Sequence, residues 1–323
     1  MGKNEEPKVV VLGGGTGMPV LLEGLKKYPI HLSTVVTVAD DGGSTGKIKE
    51  EMDIPAPGDI RNVIVALSTA DEELNGLFQH RFDEGETLSG HAVGNLVLAA
   101  MKSLTGDFYE AVEKVADMFK VKGDIFPIVN ESVVLHAEMT DGTIVSGESN
   151  IPHEHKIISR IFLTPENIEP NPKVVQAIHE ADLVIISPGS LYTSILPNLI
   201  LGGVVKALHQ TNAKIAYVCN VMTQHGETDG YSASDHVKAI DSHIGKGVLD
   251  TIILHDDIID PEVLQLYKEE QATPVPFDEN ALRELDIEVM QADIVDYSGQ
   301  MIRHNTKRIT DILYKMACEE SKK

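Results

Sequence analysis

Short runs of apolar residues alternate with helical patterns over the first and last thirds of the chain. The run Val9-Val10-Val11-Leu12 is continuous, which is typical of a strand buried on both faces of a parallel sheet. A glycine-rich turn and a helix follow it, and then a second strand is predicted at 34–39. Further strands are predicted at 183–186, 215–218 and 252–254, and helices at 60–69, 96–104, 108–119 and 306–317.

The middle of the chain has a different pattern. From 128 to 164 apolar and polar residues alternate, and Asp141-Gly142 is a turn signal between two such stretches. The chain therefore predicts an α/β, Rossmann-like, doubly wound and mostly parallel sheet with a small antiparallel β insertion. We expect one nucleotide-binding domain over 1–323, interrupted by a β-rich insertion at about 125–165.

Charge and composition narrow the class of protein. Fifty acidic residues against 27 basic ones give a net charge of -23, which excludes nucleic acid and disfavours a membrane surface as partners. The first residues are polar, with no secretory signal, and the run 96–101 is far shorter than the ~20 apolar residues of a membrane span. The 2 cysteines are too few for a disulfide framework, so a cytoplasmic location is expected.

The first strand runs into a glycine turn that suits phosphate binding. Glycines let a diphosphate approach the backbone, and the helix N-terminus offers free amides. The dinucleotide fingerprint is only partly met, because Met18 stands where its third glycine belongs. A tight turn that needs positive φ is the alternative to a ligand site. The candidate ligand residues of this turn are Gly13, Gly14, Gly15, Thr16 and Gly17.

Asp40 and Asp41 end the second predicted strand and open a second glycine loop. Paired carboxylates there are candidates for holding Mg²⁺ or for accepting a ribose hydroxyl, and a solvated acidic turn is the alternative. Magnesium is the one cofactor this pattern suggests.

Polar residues at other helix starts and strand ends complete the candidate site. Asp59 is interpreted as a helix N-cap, whereas Arg61 beside it suits a phosphate. His91 and Asn95 lie four residues apart, so both can face one site. His153 and His155 are predicted to share one face of a strand without a third metal ligand, and His225 is predicted to be exposed. The remaining candidates are Asn62, Ser187, Gly189, Ser190 and Asn220.

Six motifs together resemble one family: GGGTG, ADDGGSTG, PGDIRN, SGHAVGNL, SPGSLYTSILPNL and TDGYSASDHV. They occur in the order typical of the gluconeogenesis-factor family, within the superfamily of 2-phospho-L-lactate transferases. The resemblance implies a Rossmann-like fold in a cytoplasmic bacterial protein linked to cell shape and to growth on gluconeogenic carbon. It also implies binding of nucleotide sugars such as UDP-N-acetylglucosamine.

The two branches of this superfamily imply different sites. The transferases move a phospholactyl group from a guanosine diphosphate carrier to a deazaflavin hydroxyl with Mg²⁺, and their serine- and proline-rich loop is similar to Ser190, Ser194 and Pro197. They carry Asn-Pro where this chain has Leu191-Tyr192. The regulator branch implies that Tyr267 and Arg303 bind the sugar nucleotide, and Thr306 is a candidate regulatory phosphosite beside them.

Three functions remain open at this point. The first is a nucleotide-sugar-binding regulator that acts through a protein partner and forms a homo-oligomer. The second is a Mg²⁺-dependent phosphoryl-group transferase. The third is an NAD-dependent oxidoreductase, which the broken fingerprint and the lack of a clear proton donor disfavour.

Overall fold

A computed structural model describes residues 6–85, 87–255, 259, 264, 265, 267, 269, 271–296 and 303–323. Within these residues the strands are β1 (Lys8–Gly13), β2 (His31–Val36), β3 (Asp124–Pro127), β4 (Val134–Met139), β5 (Ile144–Ser146), β6 (Ile158–Thr164), β7 (Leu183–Ile186), β8 (Lys214–Val218), β9 (Thr251–His255), β10 (Glu288–Ala292), β11 (Val295–Asp296) and β12 (Arg303–His304).

The helices of the same residues are α1 (Gly17–Leu25), α2 (Gly43–Met52), α3 (Gly58–Leu67), α4 (Glu72–Gln79), α5 (Val93–Thr105), α6 (Phe108–Met118), α7 (Pro172–Glu180), α8 (Leu196–Leu199), α9 (Gly202–Gln210), α10 (Ala233–Ile244), α11 (Glu279–Glu284) and α12 (Thr306–Glu320). A 3-10 turn, Ile151–Glu154, and a π-helical turn, Leu191–Ile195, complete the description.

Seven parallel strands form the main sheet in the order β10-β9-β8-β7-β1-β2-β3. Strand β1 pairs with β2 on one side and with β7 on the other. The strand order reverses at this point, so the sheet has its topological switch point between β1 and β7. The predicted doubly wound α/β fold is confirmed. Ligands of such sheets bind beyond the carboxyl ends of the strands at this point.

The apolar runs form strands here because both faces of the sheet are covered. In β1 the side chains of Val9, Val10, Val11 and Leu12 are at most 2% exposed, and β7 is buried throughout. One hydrophobic cluster joins these strands to the helices and also reaches the smaller sheet through Leu135. The burial of this continuous core favours parallel strands over any local preference of the chain.

Strands β5-β4-β6 form the predicted antiparallel sheet. Gly142, at φ 83, closes the β4–β5 hairpin where the sequence predicts a turn. Strand β3 overlaps the start of the insertion predicted at about 125–165, but it extends the parallel sheet at its edge instead. Its residues alternate between exposed or half-buried and buried positions, as expected for an edge strand.

The strand predicted at His153 and His155 is wrong. His153 lies in the 3-10 turn, and His155 follows it at φ 51. Pro152 has no backbone N–H to donate to a strand partner, which favours the turn. The His155 ring stacks on His225, with ring centroids 4.5 Å apart, so His225 is half-buried rather than exposed.

No single described helix is long and apolar enough to cross a membrane. Two consecutive helical segments, Leu191–Leu199 and Gly202–Gln210, reach that length and apolar composition only when taken together, and the chain bends by 74° between them.

Candidate functional site

The glycine turn after β1 lies directly against the loop after β7. A Cβ atom on Gly13 would lie 1.9 Å from Ser187 Oγ, and one on Gly17 would lie 2.6 Å from the Pro188 carbonyl oxygen. Gly15 has φ +66, which favours glycine for conformational reasons. The two loops therefore approach each other more closely than residues with side chains allow, at the switch point of the sheet.

Two asparagine side chains brace these loops. Asn198 is fully buried in α8, and its Nδ2 donates to the carbonyl oxygens of Gly13 at 3.0 Å and Ser194 at 2.8 Å. Asn220, at the end of β8, accepts from the Gly189 amide at 3.0 Å and donates to the Gly189 carbonyl at 2.7 Å. The side chain of Asn220 is thus a brace for the serine-rich loop.

The buried carboxylate of Glu227 also braces the serine-rich loop. Glu227 is 7% exposed and accepts from Thr193 Oγ1 at 3.0 Å and from the Tyr192 amide at 3.2 Å. Burial raises the pKa of Glu227 to about 7, although both hydrogen bonds oppose this. Gln224 Nε2 donates to Ser190 Oγ at 2.6 Å. Sequence reasoning missed Glu227, Gln224 and Asn198, of which only Asn198 belongs to a quoted motif.

A cleft of about 290 Å³ opens where these loops meet the C-terminal part of the chain. Tyr267, which is 8% exposed, and His304 of β12 line the cleft from this C-terminal part. The candidate residues that line it are Gly15, Thr16, Gly17, Gly189, Ser190, Asn220 and Tyr267. Arg303 precedes His304 in β12, but its side chain lies outside the described part of the structure. Thr306 starts α12 nearby, and its hydroxyl donates to the His304 carbonyl at 3.4 Å.

Other candidate residues lie near the acidic loop, which begins with Asp40 and Asp41 and leads into α2. His91 Nδ1 lies 3.1 Å from Ser44 Oγ, and Asn95 Nδ2 donates to the same oxygen at 3.3 Å. The spacing of four residues therefore does bring His91 and Asn95 to one place. Arg61 donates to Asn62 Oδ1 at 2.8 Å, while its Nε and one terminal nitrogen are buried without a hydrogen-bond partner. None of these four candidates lines the 290 Å³ cleft.

The segment that follows β5 contacts this acidic loop. The Ser149 amide donates to Asp41 Oδ1 at 2.9 Å, whereas Asp40 Oδ1 accepts from the Gly42 amide at 2.9 Å. Glu148 follows β5 and is half-buried there. Burial, and then the charges of Asp40, Glu227 and further carboxylates, raise the pKa of Glu148 to about 8. Sequence reasoning missed Glu148, since nothing local places it beside residues a hundred positions earlier.

Asp59 is not a helix cap. Helix α3 begins at Gly58 after Pro57, and Asp59 Oδ2 accepts from the Gly15 amide at 2.8 Å. Burial raises the pKa of Asp59 to about 6, and the charge of Asp40 acts in the same direction. The Gly15 hydrogen bond and Arg61 oppose the shift. Asp59 thus belongs to the site through a contact across 44 residues of sequence.

The carboxylates do not form a metal centre by themselves. Across the described ranges, no three His, Cys, Asp or Glu side chains converge closely enough to hold a metal ion. Asp40 and Asp41 each use an oxygen on a different backbone amide. The described side chains do not fit a magnesium ion held by protein ligands alone, so we derive no chemical step through that metal.

These features define a class: a doubly wound α/β protein with a glycine-lined cleft at its switch point. The family model described as 2-phospho-L-lactate transferase CofD matches residues 9–295. The chain belongs to this family, which confirms the resemblance seen in the sequence.

Two similar proteins are gluconeogenesis factors, and a solved structure has the same fold. The gluconeogenesis factor of Bacillus subtilis (strain 168) is 50% identical over 309 residues, which cover 96% of this chain and 98% of that protein. The gluconeogenesis factor of Listeria innocua is 44% identical over 316 residues, with 98% and 97% covered. A crystal structure of a Bacillus halodurans protein has a TM-score of 0.94 at 48% identity and covers 95% of this chain and 99% of that chain.

Proposed function

We propose that this protein is a gluconeogenesis factor that binds a nucleotide sugar, such as UDP-N-acetylglucosamine, in the 290 Å³ cleft and regulates metabolism through a protein partner. One observation carries the proposal: the glycine turn, the serine-rich loop and Tyr267 surround a single cleft at the switch point. The names of the similar proteins support the role on gluconeogenic carbon. Cell shape, a cytoplasmic location and a homo-oligomer stay predictions from the sequence.

The chemistry of the cleft suits a diphosphate joined to a ring. The first amides of α1 have no carbonyl partner within the helix, and the helix dipole favours negative charge there. Thr16 and Ser190, which also line the cleft, add hydroxyl donors. Tyr267 of the same lining offers an aromatic ring for uracil. A volume of 290 Å³ lies at the small end of ligand pockets, so the sugar extends out of the cleft.

The family model favours a second candidate, a phosphoryl-group transferase. The departure from the transferase loop falls on Leu191 and Tyr192, which are 0% and 2% exposed. Tyr192 Oη hydrogen-bonds Tyr231 Oη at 2.7 Å, so the substituted side chains fill the fold instead of opening a second substrate pocket. The packing of these two side chains therefore favours ligand binding over group transfer. Met18 is likewise fully buried at the third fingerprint position, and nothing further favours an oxidoreductase.

Binding of UDP-N-acetylglucosamine to matched tyrosine variants tests the proposal. We expect Tyr267→Ala to weaken binding roughly tenfold or more, because the ring is buried in the cleft. Tyr109→Ala, on α6, is the control and should bind like the unchanged protein. Equal affinities of the two variants would show that the nucleotide sugar does not bind against Tyr267 in this cleft. Mass spectrometry of the recovered ligand separates the candidates, since any cleaved nucleotide sugar would favour the transferase.

A further inference from the structure

The first turn of α3 lies between the glycine turn and the acidic loop and contacts both. Asp59 accepts from the Gly15 amide at 2.8 Å. On Gly58, a Cβ atom would lie 2.5 Å from Thr45 Oγ1 and 2.9 Å from Asp40 Oδ2, so the backbone fits tightly against the acidic loop. One helix start thus joins two loops that are separate in the sequence.

The contact between Asp59 and the glycine turn needs its own glycine. A Cβ atom on Gly14 would lie 2.7 Å from Asp59 Oδ2 and 2.5 Å from Thr37 Cγ2. The neighbouring Gly15 is at φ +66, where residues with side chains are strained. The absence of side chains at Gly14 and Gly15 therefore allows the Asp59 carboxylate to approach the glycine turn. The hydrogen bond between Asp59 and Gly15 is thus a specific contact of the fold.

This contact changes which amides are left for a ligand. A carboxylate is an anion, and on the Gly15 amide it takes the position that a phosphate oxygen would otherwise occupy. Thr16 and Gly17, the next two residues, line the cleft. We propose that Asp59 is a positioning residue: its carboxylate fixes Gly15 so that Thr16, Gly17 and the start of α1 present their amides to the ligand's diphosphate. This inference rests on the proposed function.

Asp59 is half-buried, and its charge couples the binding of an anionic ligand to the binding of protons. The charged groups that act on Asp59 are Asp40, Arg61 and the half-buried Glu148. The pKa of Asp59 is already raised to about 6, and a diphosphate next to it raises that pKa further. Between pH 8 and pH 6, ligand binding is then accompanied by uptake of a proton at Asp59, so the affinity rises as the pH falls. An Asn at this position accepts the same hydrogen bond without the charge.

Amide exchange of Gly15 in the ligand-free protein tests the positioning role directly. We expect Asp59→Ala to speed exchange at Gly15 roughly tenfold or more relative to the intrinsic rate, because the amide loses its hydrogen-bond acceptor. Asp59→Asn should keep the protection, and Asp83→Asn, an exposed carboxylate, is the matched control. Unchanged exchange at Gly15 in Asp59→Ala would overturn the inference. If that variant does not fold, loss of protection in Asp59→Asn overturns it instead.

The pH dependence of ligand binding provides the second readout. UDP-N-acetylglucosamine keeps both phosphate charges between pH 6 and pH 8, so it is a clean probe. We expect its affinity for the unchanged protein to rise roughly threefold to tenfold from pH 8 to pH 6, and to rise much less in Asp59→Asn. Glu148→Gln measures how much of this pH dependence comes from Glu148, the other half-buried carboxylate. An identical pH slope in Asp59→Asn and the unchanged protein would contradict the inference. If the unchanged protein binds no nucleotide sugar, the proposed function fails, and the Gly15 exchange still decides the positioning role.

Discussion

Replacing Glu227 by Gln removes a buried charge while keeping the support of the serine-rich loop. The glutamine Oε1 can accept from the Tyr192 amide, and its NH₂ group can donate to the Thr193 hydroxyl, which rotates to accept. The side chain is 7% exposed, so the ionised form is poorly solvated in the folded protein. The substitution therefore isolates the effect of ionisation from that of packing.

The sign and size of the effect follow from the pKa of Glu227. It is 4.5 in an unperturbed chain and about 7 in the fold, because burial opposes the charge. Between these two values the folded state binds more protons than the unfolded state, so the free energy of unfolding falls as pH rises. From pH 5 to pH 8 this one group lowers the stability of the unchanged protein by about 2–3 kcal/mol. Glu227→Gln should lack that loss.

Urea unfolding at pH 5, 6.5 and 8 measures this difference. The chain has 0 tryptophans, so far-ultraviolet circular dichroism is the suitable signal. Glu166→Gln, at an exposed position, is the control and should follow the unchanged protein at every pH. If the stability of Glu227→Gln falls with pH as steeply as that of the unchanged protein, the buried carboxylate of Glu227 does not ionise in this range.

Three further predictions concern the loops and the phosphosite. Gly13→Ala should cost about 1–3 kcal/mol of unfolding free energy through its clash with Ser187 Oγ, and adding Ser187→Ala should recover part of it; no recovery would contradict the contact. Asn198→Ala should cost about 2–4 kcal/mol, since two buried carbonyl oxygens lose their donor, and an unchanged urea midpoint would dismiss that brace. Thr306→Glu should weaken UDP-N-acetylglucosamine binding roughly threefold or more relative to Thr306→Gln, because it places charge beside the cleft; equal affinities would argue against a phosphosite there.

Elements with strong local patterns were predictable from the sequence. The strand predicted at 183–186 has the bounds of β7, because a short continuous apolar run flanked by polar residues fits only a strand covered on both faces. Helix α6 is predicted within one residue, because its apolar residues recur at helical spacing. The structure adds Asp107 as its N-cap. Strand β10 was not predicted, since it lies at the sheet edge and is half exposed, which leaves little pattern.

The site was predictable only where a motif lies at a strand end. The glycine turn and the serine-rich loop follow buried strands, and the parallel topology brings them together. Asp59 carries a local capping signal that competes with its real contact, which is set by tertiary packing. Glu148 and Glu227 carry no local signal, because their neighbours come from distant parts of the chain. Tyr267 was found through the family resemblance alone.

Calorimetric titration with UDP-N-acetylglucosamine, in parallel with UDP-glucose, GDP and NAD and with or without Mg²⁺, distinguishes a nucleotide-sugar-binding regulator from a transferase. We expect metal-independent binding of the UDP-sugars, with the ligand recovered intact by mass spectrometry and with affinity reduced in Tyr267→Ala. Preference for GDP with Mg²⁺, or cleavage of the ligand, would contradict the regulator and support the transferase.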